Sequence, residues 1–230
     1  IDGYKVKFLT GTDEHGLKIQ RAAEQKGLDT LKFCDEISQT FRDLSKTLNL
    51  TNNDFIRTTE PRHINSVQSL WNELEKNGDI YLSKYSGWYS VSDEAFYSNE
   101  EIEEFNGKKR SISSKSFVEW VDEESYFFKL SKWEKPLLKH YMDNPDFISP
   151  VSRKNEVISF VKSGLKDLSI SRKSFSWGIQ VPKNKDHIIY VWLDALTNYL
   201  SALNCPNTND HLFKQFWPAS IHLIGKDILR

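Results

Sequence analysis

Cysteine is nearly missing from this sequence: Cys34 and Cys205 stand far apart and no CxxC occurs. That excludes a disulfide framework and a thiolate zinc site, and it points to a reducing, cytoplasmic setting. No apolar run approaches the roughly 20 residues of a membrane span, so no membrane partner is expected. Charge of one sign is missing as well. With 31 basic against 32 acidic residues, nucleic-acid contact would need a local patch rather than a basic chain. GxxxxGK[ST], GxGxxG and HxxxH are all absent, which removes the P-loop, the dinucleotide fingerprint and a helical pair of histidine ligands. Internal repeats and low-complexity segments are absent too. The start, "IDGYKVKF", has neither an initiator Met nor a signal-peptide pattern, and with the abrupt "HLIGKDILR" it reads as cut from a longer chain.

What is present suits a soluble globular protein: 38% hydrophobic, 13% aromatic and 27% charged residues over a length of 230, enough for one core and a small inserted module. "YKVKFLT" predicts a strand and "GLKIQRAAEQKG" a short helix closed by Gly27. A second helix from Thr30 has an apolar stripe of Cys34, Ile37, Phe41, Leu44 and Leu48. "DFIRTT" predicts a short strand. A third helix follows Thr59 and Pro61, with a stripe of Ile64, Val67, Trp71 and Leu74 and a stop at Asn77-Gly78. Near Ile80 the texture turns to short aromatic, β-prone pieces with a hairpin turn at Asn106-Gly107. Helical rhythm returns in "SKWEKPLLKHYMDN" and "RKNEVISFVKSGLKDL". "HIIYVWLDA" and "SIHLIGKD" then read as buried parallel strands. The expected architecture is an α/β fold: a parallel sheet in residues 1–79 and 141–230, interrupted by a β-rich insertion at 80–140.

Ligands of such sheets bind where strands end and the chain turns into the next helix. Three stretches sit there. In "GTDEHG", Asp13 is either the N-cap of the coming helix or a carboxylate aimed at a cationic ligand, with Gly11 and Gly16 giving room. In "YVWLDALTNY", Trp192 and Tyr199 are seven apart, as core aromatics or as the walls of an apolar pocket, and Asp194 reads as an N-cap. In "IGKDI", Gly225 permits close backbone approach and Asp227 suits ribose hydroxyls. The other histidines, His63 among them, are scattered without ligand spacing.

In order and spacing, "FLTGTDEHGLKIQRAA", "GWYSVSDEAFY", "EESYFFKLS", "LSISR", "YVWLDALTNY" and "FWPASIHLIGKDILR" together resemble the methionyl-tRNA synthetases across nearly the whole chain. The resemblance implies a class I synthetase: a Rossmann-type catalytic domain split by a connective-peptide insertion, which activates methionine with ATP and passes it to tRNA(Met). It implies that Asp13 binds the methionine ammonium, and that Trp192, Ala195, Leu196, Tyr199 and Ile228 line the side-chain pocket. The family often has Pro where this chain has Leu196. It further implies that Gly225 and Asp227 hold the ATP ribose, that Arg172 lies near the nucleotide, and that Mg²⁺ accompanies the phosphates. No role falls to Glu14 or His15.

The family's HIGH and KMSKS motifs are expected outside residues 1–230, so this stretch alone is expected not to activate methionine. Many family members carry a cysteine zinc knuckle in the insertion; here "GWYSVSDEAFYS…SISSKSF" has serines instead, so a zinc-free module held by Trp88, Tyr89, Phe96, Tyr97, Trp120, Phe127 and Phe128 is expected. The rivals are a class I synthetase for valine, isoleucine or leucine, whose insertions are typically much larger, and a synthetase-derived binding protein without activity.

Overall fold

The computed structural model describes residues 3–93, 95–222, 224 and 225. Strand β1 (Leu9–Thr12) pairs in parallel with β2 (Asp54–Arg57), Leu9 opposite Asp54 and Thr12 opposite Arg57. Parallel neighbours need a long crossover, and α1 (Leu17–Gln25) with α2 (Thr30–Thr47) supplies it. The strand expected from Tyr4 begins only at Leu9. Its last ties are the Phe8 N–H donating to Asn53 Oδ1 at 2.7 Å and the Asn53 N–H donating to the Phe8 carbonyl at 2.8 Å; Tyr4 and Val6 lie open beyond them.

Asp29 caps α2 by accepting from the Lys32 N–H. The apolar stripe of this helix is covered only near its start, where Phe33 and Cys34 are buried, whereas Ile37, Phe41, Leu44 and Leu48 are exposed. Eighteen residues make a rod about 27 Å long, longer than a two-stranded sheet and a short helix can cover. The next helix behaves as its pattern predicts. Proline opens α3 (Pro61–Lys76), and Gly78 at φ 70° closes it. Val67 and Trp71, 0% and 1% exposed, pack with Ile80, Ile170, Ile179, Val181 and Ile189 as the main core.

The β-rich segment after α3 is built on two long strands, β3 (Ile80–Ser90) and later β7 (Glu119–Phe128), antiparallel from Ile80 opposite Phe128 to Tyr89 opposite Glu119. Between them come β4 (Ala95–Tyr97) and a hairpin of β5 (Ile102–Phe105) and β6 (Lys108–Ser111). The hairpin turns at Asn106 and Gly107, with φ 51° and 74°, the left-handed pair that a two-residue turn requires. Cross-strand rings hold the module: Trp88 against Trp120 at 5.1 Å, Tyr89 against Phe96 at 4.8 Å and Tyr81 stacked on Phe127 at 5.6 Å.

Helices α4 (Glu134–Asp143) and α5 (Val151–Lys162) pair around Val157, Val161 and Leu165. Strand β8 (Leu168–Ser169) then joins the sheet of β3 and β7, beside β7. β9 (Ser171–Arg172), β10 (Gln180–Val181) and β11 (Asn184–Ile189) form a sheet in the order β10-β11-β9. Here a sequence expectation fails: "HIIY" is buried as predicted, but β11 runs antiparallel to both neighbours. A continuous apolar run reports burial on two faces and says nothing of strand direction. The chain ends with α6 (Val191–Leu196), α7 (Asn198–Ser201) and α8 (His211–Phe216). No strand forms among the described residues of "SIHLIGKD", and no helix there or elsewhere among the described residues is long and apolar enough to cross a membrane.

Candidate active site

The site starts at the end of β1. Gly11 is there for space: a Cβ on it would lie 1.9 Å from the Ile56 carbonyl oxygen on β2, so only glycine lets the two strands approach. Beyond the strand the chain turns through Asp13, Glu14 and His15 to Gly16, whose φ of 104° favours glycine. Gly16, not Asp13, is the N-cap residue of α1. The Asp13 carboxylate instead accepts the His15 backbone N–H. It stays accessible to solvent, yet protein surrounds it so closely that desolvation, and after it the Asp194 carboxylate, pushes its carboxyl up to about 6.

The two residues without an expected role turn out to be the anchors. Glu14 is buried, and its carboxylate is filled. Oε1 accepts from the Thr12 hydroxyl (2.6 Å) and Arg57 Nε (2.7 Å); Oε2 accepts from Arg57 Nη2 (2.9 Å) and the Thr59 hydroxyl (2.6 Å). A carboxylate has about four acceptor positions, so none is left for a ligand. The Glu14 carbonyl takes the Trp177 indole N–H at 2.6 Å. His15, edge-on to Trp177 at 5.7 Å, joins Asp194 through Nδ1 at 2.7 Å, and His63 Nε2 meets the other Asp194 oxygen at 2.8 Å. His63 Nδ1 lies 2.9 Å from the Ser201 hydroxyl.

Asp194 is thus not an N-cap. It lies inside α6, whose N-cap is Tyr190, and is 1% exposed. Burial raises its carboxyl, but the hydrogen bonds from His15 and His63 outweigh that and hold it below the usual carboxylate range. These bonds fasten α6 against the Asp13 turn. Trp192 and Ala195 on α6 are half-buried, and Leu196 is exposed. Tyr199 sits on α7, beyond a break at Thr197 rather than on one continuous helix. It meets His222 edge-on at 4.5 Å and borders a cleft of about 870 Å³ that Val6, Leu9, Phe216 and Trp217 also line.

Arg172 is placed differently. Only 2% exposed, it stacks over Tyr190 (3.8 Å) and faces Phe96 (4.8 Å) and Tyr89 (5.6 Å). Nη1 donates to the Ser169 hydroxyl and the Ser171 carbonyl, both at 2.7 Å. So enclosed a guanidinium meets a soluble ligand only if an aromatic wall moves. Gly225 is exposed with open space around it; Asp227 and Ile228 lie outside the described residues. Glu14, His63 and Trp177 escaped the sequence reading. The available signal for the first was the run "TDEHG" itself, and nothing local marked the other two.

Compared with known families, the chain matches the class I tRNA synthetases. The family described as tRNA synthetases class I (M) covers residues 1–108 and 104–230, and the chain belongs to it. Its relatives are named for a single amino acid. Methionine–tRNA ligase of Rickettsia bellii is 54% identical over 230 residues, 100% of this chain and 44% of that protein; that of Mycobacterium tuberculosis is 50% identical over the same span, again 44% of its length. Among solved structures, Mycobacterium tuberculosis methionyl-tRNA synthetase bound by methionyl-adenylate superposes with a TM-score of 0.95 at 50% identity, covering 100% of this chain and 45% of that one. The apo form of that enzyme gives 0.78 at 40% identity. The chain spans about half the length of the relatives it matches.

Proposed function

We propose that these residues form the methionine-activating core of a methionine–tRNA ligase. The carboxylate of methionine attacks the α-phosphorus of ATP, pyrophosphate leaves, and the adenylate then passes its acyl group to the tRNA 3′ end. The observation that carries the reading is the match along the entire chain to a synthetase holding methionyl-adenylate. The Asp13 turn supports it: an accessible carboxylate at a strand end, hemmed in by protein, suits an ammonium with three donors and one charge. Trp192, Ala195, Leu196, Tyr199 and Ile228 would line the thioether pocket, where selectivity rests on filling volume and on sulfur–aromatic contact. Gly225 and Asp227 would hold the ribose. Arg172, by its enclosure, supports Tyr190 rather than touching nucleotide.

ATP brings its Mg²⁺ on the phosphates, as such sites usually do; among the described residues no cluster of three metal-ligating side chains offers a protein cage. Zinc does not fit the insertion. Ser90 with Asp93 and Ser111 with Ser114 hold the spacing of a two-loop knuckle, but hydroxyls are not zinc ligands. Asp93 is instead the acceptor for the Tyr97, Ser114 and Ser116 hydroxyls at 2.8, 2.5 and 2.8 Å.

The test is ATP–pyrophosphate exchange by a full-length protein carrying this chain, with methionine, valine, isoleucine and leucine. Exchange that depends on methionine alone is expected; equal exchange with valine or leucine, or none with any, refutes the reading. Residues 1–230 alone are expected to give no exchange.

A further inference from the structure

Side chains from the Asp13 turn, α3, α6 and α7 meet in one hydrogen-bonded line. Asp194 lies on α6, beside Ala195 and two residues from Trp192. His15 belongs to the turn that carries Asp13, and His63 to the first turn of α3. Ser201, on α7 two residues from Tyr199, closes the line at His63 Nδ1, 2.9 Å away. An ionised carboxylate only accepts hydrogen bonds, so each imidazole donates one N–H to it, at 2.7 and 2.8 Å. Asp194 and His63 are 1% and 0% exposed. A buried charge held at both oxygens by rings from two other elements is a rigid joint, because moving it strands donors and acceptor alike.

The joint ties the turn that carries Asp13, the proposed ammonium clamp, to α6, which carries Trp192 and Ala195 of the proposed side-chain wall. We propose that Asp194, gripped by His15 and His63, is the positioning residue that sets the distance from the ammonium clamp to the side-chain wall, and so the length of amino acid the site accepts. This rests on the methionine-activating reading above. Methionine has a flexible, unbranched side chain with no group that can anchor its tip by a strong hydrogen bond. A site that measures it must do so with a fixed frame, and the hydrogen-bonded joint supplies one. Asp194 itself, at 1% exposure, has its two oxygens turned to imidazoles and plays no direct part in ligand contact.

The experiment uses the full-length protein and its Asp194→Asn variant, which keeps the shape and loses the carboxylate. Asparagine offers an acceptor oxygen and a donor NH2, so one of the two imidazoles must switch tautomer or lose its hydrogen bond. ATP–pyrophosphate exchange is measured with methionine, with the longer ethionine and with leucine, together with the KM for ATP and the melting temperature. We expect the preference for methionine over ethionine and leucine, as ratios of kcat/KM, to fall about tenfold, the scale of one methylene in an apolar pocket. The KM for methionine rises while that for ATP stays unchanged. A purely structural role would lower the melting temperature or all activities together and leave the ratios alone; that result overturns the proposal. Should Asp194→Asn fail to fold, His15→Gln gives the same readout, since it frees the clamp side and leaves His63 and Ser201 joined to Asp194. Unchanged ratios in that variant also overturn it. Failure of the unsubstituted protein to use methionine is a separate result, which removes the functional reading and this inference with it.

Discussion

Replacing Glu14 separates a ligand-binding acid from a structural one. The Glu14 carboxylate receives four hydrogen bonds, two of them from the Arg57 guanidinium, which also pairs with Asp35 at 2.7 Å. Glu14→Ala removes the acceptor from two threonine hydroxyls and leaves a mostly buried cation with one exposed partner. Breaking a buried pair on one side costs about 3–5 kcal/mol. Glu14→Gln keeps the shape and turns one charged acceptor into an amide donor facing other donors, for about 1.5–3 kcal/mol. In a unit of this size each kcal/mol lowers the melting temperature by about 2–4 °C, so the alanine variant is expected to melt roughly 6–20 °C lower. The assay is thermal unfolding of the full-length protein by circular dichroism, with Arg57→Met and the double variant completing a cycle. The double variant should be less destabilised than the sum of the singles, because the stranded charge is gone with its partner. A loss under 1 kcal/mol for Glu14→Ala, or strict additivity, would falsify the structural role.

Asp13 predicts an acid limb. Its carboxyl is pushed up to about 6, and only the ionised form offers charge to an ammonium, so kcat/KM for methionine rises with pH through about 6 and falls about tenfold from pH 7 to pH 5; a flat profile over that range contradicts it. Because burial and Asp194 disfavour the Asp13 charge, folding gives this group nothing at neutral pH. Asp13→Asn therefore abolishes methionine-dependent exchange while leaving the melting temperature unchanged or higher, and a lower melting temperature would count against that account. Gly11→Ala drives a Cβ into the Ile56 carbonyl, and such overpacking costs about 1–3 kcal/mol; a variant with normal stability and methionine KM would show that β1 and β2 tolerate separation. In the insertion, Asp93→Ala leaves three hydroxyl donors without their acceptor and lowers stability by about 1–3 kcal/mol, and elemental analysis of the unsubstituted protein should find no stoichiometric zinc.

The local elements were readable wherever one rule governed them. The Ile64–Leu74 stripe, the Pro61 start and the Asn77-Gly78 stop gave α3 to within a residue, and Asn106-Gly107 gave its hairpin, because backbone φ and helical period are local properties. The stripe of α2 was equally periodic and is mostly uncovered, since period shows which face is apolar and not whether anything covers it. β11 shows the same limit from the other side: its His187–Ile189 end is buried as read, but it runs antiparallel.

The site divides along that line. Asp13 came from its place after a strand and from resemblance, while sequence alone left it open between a cap and a ligand group. Nothing local gave Glu14, His15, His63 or Asp194 a role: apart from Thr12, which bonds Glu14 from two positions away, the partners that fix them lie 43 to 179 positions away. By itself the sequence determined the family and local elements such as α3 and the Asn106-Gly107 hairpin, because those depend on residue identity and near neighbours. Only the tertiary structure decided that Glu14 is saturated, that Arg172 is caged and that Asp194 is a joint rather than a cap, because hydrogen-bond capacity is used up by whatever folding brings within about 3 Å.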